Sequence, residues 1–229
     1  MNVDFNYDKV ILVKYDFGGG GRFLINCLGL SDDATFLCPR ITKLQLLDKF
    51  SPEKKLKYLL ARLSQCRETK KWDELELTDK NFWEISDHDL FFRSEADILN
   101  YNYPEHISKC IDNQKYIFLS THEDEYIRKL KSCWKNCKYI TFENENIFRN
   151  ARSNIIEGDH DYFKIKNKLN LSSLKNIDSE CEFIWDSSWY LSENTTVQKV
   201  EELYNHFHIS GFDAIMISKY YNAWIDTIF

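Results

Sequence analysis

The chain has 229 residues and a formal net charge of −6, enough length for one sizeable core and an acidic balance that argues against a protein coating nucleic acid. It has no signal-type or membrane-spanning apolar run, which points to a cytoplasmic protein with no membrane partner. Its cysteines number seven, an odd count that favours reduced thiols over a disulfide framework.

The glycines are scarce and unevenly spread: of seven in the chain, Gly18, Gly19, Gly20 and Gly21 are consecutive. A β-branched and aromatic run, Val10 to Phe17, precedes them and reads as a strand. Arg22 to Leu28 follows and suits a helix that ends near Gly29. Strand, glycine loop and helix make the layout of a phosphate cradle, in which backbone N–H groups and the helix dipole face an anion. The plainer alternative is a tight turn with no ligand. Lys followed by Ser or Thr, which would hold magnesium and nucleotide, is absent after Gly21, so nothing here predicts a magnesium-dependent NTPase or a bound metal.

Ser31-Asp32-Asp33 reads as a break, and Thr35 to Cys38 as a short extended piece before Pro39. Ser51-Pro52-Glu53 opens a helix, with a capping serine and proline in its first turn. Leu56, Leu59, Leu60 and Leu63 form one apolar stripe along it. From Ser51 to Lys71 there are seven basic and two acidic residues, read either as a solvated face or as a rim attracting an anionic ligand. Residues 72–103 carry many aromatics and acids without a period, including Phe82-Trp83 and Phe91-Phe92. They are expected to be irregular, substrate-side structure within a helical or irregular insertion at about 40–110.

Regular patterning returns with Tyr116 to Leu119, a buried-type strand, and a helix beginning at Ser120-Thr121-His122. Lys138 to Phe142 is the next strand, and Asn146 to Ser153 a basic helical stretch. This alternation predicts right-handed βαβ connection and a parallel sheet. Cys181 to Trp185 reads as the last strand. Thr195 to Phe207 follows as a helix with Thr195 and Gln198 at capping-box spacing, and Val197, Val200, Tyr204 and Phe207 on its inner stripe. Gly211 breaks the chain before a final helix marked by Ala214, Ile217, Tyr221, Trp224 and Ile228. Cys133 with Cys137, and His206 with His208, lack a second ligand pair, so zinc is not expected. No internal repeat or linker divides the chain, and residues 1–229 read as a single domain.

Two groups follow predicted strands and so fall at the edge where open α/β sheets bind ligands. His122 follows Thr121 and is placed to take a proton, or is an ordinary first-turn residue. Arg149 and Arg152 share a helix face with Ser153 nearby, which suits a phosphate grip or a solvated basic face.

With these residues in hand, the chain resembles the sulfotransferase family of P-loop proteins. Val10 to Leu28, with Gly-Gly-Arg-Phe-Leu at its centre, looks like that family's 5′-phosphosulfate loop. Tyr116 to His122 looks like the strand ending in the catalytic histidine. Lys138 to Ser153 occupies the place of the strand and helix that hold the donor's 3′-phosphate. Phe183 to Trp224 resembles that family's strand, helix and closing Tyr-x-x-x-Trp helix, here Tyr220 and Trp224.

The resemblance implies an α/β, three-layer P-loop NTPase-like fold with a central parallel sheet flanked by helices. It implies a donor, 3′-phosphoadenosine 5′-phosphosulfate, and a small-molecule or glycan acceptor bearing a hydroxyl or amine. Gly18, Gly19, Gly20, Gly21, Arg22 and Phe23 would hold the 5′ end of the donor, and Arg149, Arg152 and Ser153 its 3′-phosphate. His122 would be the base. The family's loop lysine aligns with Gly18, so Arg22 would supply the positive charge, and Glu143-Asn144 stands where the family has Arg-Asn. The competing readings are another P-loop transferase, such as a small-molecule or nucleotide kinase, and a non-catalytic descendant of the fold that binds a nucleotide or anion.

Overall fold

The computed structural model describes residues 8–15, 20–36, 51–69, 115–121, 136–143 and 181–228. Its centre is β1, Val10–Lys14. Val10, Ile11, Leu12 and Val13 are all fully buried, as expected of a parallel strand covered on both faces. The other strands are β2, Ala34–Phe36, β3, Tyr116–Thr121, β4, Lys138–Glu143, and β5, Phe183–Asp186. They form a five-stranded sheet in the order β2-β3-β1-β4-β5, and every pairing is parallel. The fold is therefore of the α/β class. β1 separates β3 from β4, so the alternation of strands in the sequence corresponds to a connection that crosses the central strand.

The helices are α1, Gly21–Gly29, α2, Pro52–Thr69, α3, Glu193–Phe207, and α4, Ala214–Ile228. α1 packs against β1, β2 and β3, α3 and α4 pack against α1, and α2 packs against α4. A 3-10 helix, Ser187–Leu191, joins β5 to α3. Among the described residues no helix is long and apolar enough to cross a membrane.

Several sequence expectations shift at their boundaries. β1 ends at Lys14, short of the expected Phe17, where its pairing with β3 ends, and the Tyr15 ring lies against Gly21 at the start of α1. β3 runs on through Ser120 and Thr121, where a helix start was expected, because it stays paired with β1 as far as Lys14 and Thr121. The last strand is shifted to end at Asp186, whose carboxylate accepts the Ser188 N–H at 2.8 Å and starts the 3-10 turn.

The cap of α3 is Ser192, whose side chain accepts the Thr195 N–H, so Thr195 is inside the helix. Thr196 explains the choice: its hydroxyl makes bonds with the carbonyls of Trp189 and Ser192 and ties this start to the preceding turn. α3 ends with His208 in the left-handed region, φ 57°, and the Ile209 N–H returns to the Tyr204 carbonyl at 2.8 Å. That six-to-one bond is a Schellman closure. Asp213 caps α4 by accepting the N–H groups of Ile215 and Met216.

The basic face of α2 is not uniformly solvated. Lys55 is fully buried. Its Nζ donates to the Ser31 carbonyl at 2.5 Å and the Ala34 carbonyl at 2.8 Å, fastening α2 to the turn between α1 and β2. Leu56, Leu59 and Leu63 are buried on the same helix, as their spacing predicts. Residues 72–103, expected to be irregular, and the helices expected from His122 and from Asn146 lie outside the described residues.

Candidate functional site

The turn into α1 at Gly20 follows the C-terminal end of the central strand. Gly20 is the N-cap residue of α1 with φ 82° and ψ 6°, a left-handed conformation that favours glycine. Leu24 N–H donates to the Gly20 carbonyl at 3.3 Å as the first helical bond. The N–H groups earlier in α1, from Gly21 to Phe23, lie before that bond, at the positive end of the helix dipole.

Both described glycines of the run, Gly20 and Gly21, also answer to aromatic packing. A Cβ on Gly20 would stand 2.6 Å from Cε2 of Tyr190, and a Cβ on Gly21 would overlap the Tyr15 ring. The Tyr190 hydroxyl donates to the Gly20 carbonyl at 2.9 Å. Tyr15, Phe142 and Trp185 continue the wall around the turn, with ring centroids 5.7 Å apart for the first pair and 6.3 Å for the second. Trp185 lies 5.3 Å from Tyr190. These rings come from the ends of β1, β4 and β5 and from the 3-10 turn, so an aromatic bed built on the C-terminal edge of the sheet supports the glycine turn.

Phe23 is 1% exposed. It stacks on Trp224 at 4.2 Å and on Tyr220 at 5.2 Å. Its ring belongs to the core, and what it can offer a ligand is its backbone N–H. The Asn26 amide donates to the Tyr220 hydroxyl at 2.8 Å. The Tyr220 and Trp224 pair singled out in the sequence thus grips α1. Arg22 is half-buried.

Lys14, the last residue of β1, is 4% exposed and pairs in register with Thr121. Sequence reading passed over it, although a lysine ending an apolar central-strand run was the available signal. Tyr190 was also passed over, because nothing in its local sequence indicates a partner at Gly20. The Tyr221 hydroxyl donates to the Tyr190 carbonyl at 2.7 Å. Burial, and then the Glu193 carboxylate, push the Tyr221 phenol above its ordinary value.

Gly18, Gly19, His122, Arg149, Arg152 and Ser153 lie outside the described residues. The described framework brings together Gly20, Gly21, Arg22, Phe23 and the strand ends flanking them. Because Thr121 pairs with Lys14, the chain leaves β3 beside the end of β1, and His122 follows at once in sequence. Among the described residues no group of three or more His, Cys, Asp and Glu is gathered to hold a metal ion. No family model, curated protein or solved structure matches this chain.

Proposed function

We propose that this chain is a sulfotransferase-like enzyme of the three-layer P-loop type. It would move a sulfuryl group from 3′-phosphoadenosine 5′-phosphosulfate to an acceptor hydroxyl or amine. The observation that carries the reading is the glycine turn, left-handed at Gly20, leading from the central strand of a parallel sheet into α1. In open α/β sheets the crevice beyond the strand ends, where the connections diverge, is where ligands bind. Here the chain runs from β1 past β3 to β2, returns to β3, and then crosses β1 to reach β4.

In this reading the acceptor oxygen or nitrogen attacks sulfur. The bond from sulfur to the bridging phosphate oxygen breaks, and adenosine 3′,5′-bisphosphate departs with the electron pair. His122 takes the acceptor proton. The backbone N–H groups of the turn and the Arg22 guanidinium stabilise the charge that collects on the leaving phosphate. Arg149, Arg152 and Ser153 hold the 3′-phosphate.

A second reading, a non-catalytic binder of nucleotide or anion, draws on a specific observation. Packing of Tyr15 and Tyr190 already requires Gly20 and Gly21 to lack side chains, an account of the turn that needs no turnover. Thermal unfolding with candidate donors tests both. A ligand at a hundredfold over its Kd adds about 2.7 kcal/mol of stability. Stabilisation by adenosine 3′,5′-bisphosphate is expected, and sulfuryl transfer then separates enzyme from binder. Stabilisation by ATP with magnesium alone would replace the proposal with a kinase, and stabilisation by neither nucleotide would refute the donor assignment.

A further inference from the structure

The Gly20–Gly21 peptide is held by a residue 170 positions away in sequence. The Gly20 carbonyl accepts from Leu24 N–H at 3.3 Å and from the Tyr190 hydroxyl at 2.9 Å. The helical bond lies beyond the usual N–H···O range, so the phenol is the closer donor. A peptide unit is planar and trans. Turning this carbonyl toward Tyr190 and the body of α1 therefore turns the Gly21 N–H the opposite way, out of the helix start. Two consecutive glycines would otherwise let that peptide rotate easily, presenting a carbonyl oxygen where an anion is to bind.

Tyr190 is itself fixed. Its ring packs on Phe23, Trp185 and Trp224 with centroids 5.4, 5.3 and 5.1 Å away. Its carbonyl receives the Tyr221 hydroxyl from α4. The geometry of the turn is thus tied to the docking of the C-terminal helix through one side chain.

We propose that Tyr190 is a positioning residue. Its phenol locks the Gly20–Gly21 peptide with the carbonyl turned inward, so that the Gly21 N–H stays aimed outward as an anion donor. The inference rests on the reading of the glycine turn as an anion site. Loss of the phenol lets the peptide rotate and weakens anion binding, while the aromatic bed persists.

Tyr190→Phe removes the hydroxyl and keeps the ring. Tyr204→Phe is the comparison, because its hydroxyl bonds the Cys27 and Leu28 carbonyls at the other end of α1, at 2.9 and 3.3 Å. Amide hydrogen exchange is measured at Leu24, whose N–H bonds the Gly20 carbonyl, without ligand, and affinity is measured with adenosine 3′,5′-bisphosphate and with inorganic sulfate. Tyr190→Phe is expected to speed exchange at Leu24 by roughly fivefold and to weaken both ligands by a similar factor, the scale of one hydrogen bond. Tyr204→Phe is expected to lower the melting temperature without either change. Unchanged exchange in Tyr190→Phe, or equal acceleration in Tyr204→Phe, overturns the proposal. So does accelerated exchange with unaltered affinity. If wild-type protein binds neither ligand, the anion reading fails and the positioning role falls with it, whereas binding that Tyr190→Phe leaves intact condemns the positioning role alone.

Discussion

The Tyr15 ring lies so close to the Cα of Gly21 that a methyl group there would overlap it. Tyr15 is 5% exposed and its ring sits against Phe142 at 5.7 Å, so it has little room to withdraw. Gly21→Ala is therefore expected to cost about 1–3 kcal/mol by overpacking, read from the urea midpoint. Combining it with Tyr15→Leu should recover much of the loss, because the two positions are in contact and non-additive. Strict additivity in that cycle would dismiss the steric account.

Gly20 carries a different constraint. Its positive φ strains any side chain, and Cβ would meet Tyr190. Gly20→Val should therefore lower stability and disturb the turn together, so it cannot separate anion binding from folding. Equal melting temperatures for Gly20→Val and wild type would contradict both the left-handed geometry and the Tyr190 contact.

Lys55 makes the strongest prediction on α2. Lys55→Met keeps most of the stem but leaves the Ser31 and Ala34 carbonyls without their buried donor. Bonds from a charged donor are worth about 1.5–3 kcal/mol each, so loss of the pair should exceed the loss for a typical surface change. Lys57 is exposed on the same helix, and Lys57→Met should stay within about 0.5 kcal/mol of wild type. Similar unfolding midpoints for the two variants would show that burial of Lys55 contributes nothing.

The contrast between Lys55 and Lys57 illustrates how far local pattern reaches. Leu56, Leu59 and Leu63 lie on a legible stripe because burial of a helix face repeats with the helix. A lysine beside that stripe becomes interior only because the Ser31 and Ala34 carbonyls arrive from elsewhere in the chain. Likewise Val10 to Val13 is legible as a buried strand, but its central position depends on pairing with β3 and β4 more than a hundred residues away. The Ser192, Thr195 and Thr196 cluster offers several caps, and the contact of Thr196 with Trp189 selects among them. In the candidate site the glycine turn was legible from composition. Its support by Tyr190 was not, since a distant phenol meeting a backbone carbonyl leaves no local pattern.

Asp33 predicts an acid dependence. Its Oδ2 accepts the Ser210 N–H at 3.0 Å and also the Ser210 hydroxyl. The hydroxyl bond chiefly holds the carboxyl below its ordinary 3.8, helped by the Ser210 N–H and the charges of Lys9 and Lys115 and opposed by partial burial. A carboxyl lowered in the fold stabilises the protein above its unfolded value, and that contribution is lost as pH falls through the folded value. Asp33→Asn should therefore be less stable than wild type at neutral pH, with the gap closing below pH 3.8. Parallel urea titrations at both pH values check this, and a gap independent of pH would remove Asp33 from the account.

The prediction that bears on turnover concerns His122. Thr121 is the last residue of β3 and pairs with Lys14 at the end of β1, so the next residue follows from the edge that carries the glycine turn. A general base there is worth roughly 10²–10⁴ in rate. His122→Ala and His122→Asn should each lose sulfuryl transfer by about that factor. Both should retain affinity for adenosine 3′,5′-bisphosphate, because in the proposed reaction the base meets the acceptor and not the phosphates. If His122 only opens a helix, both variants should turn over normally and differ from wild type in stability alone. Single-turnover transfer measured beside product-nucleotide affinity separates these outcomes. Full activity in either variant rejects the base assignment, whereas a parallel loss of nucleotide affinity would move His122 from the acceptor side to the donor side of the crevice.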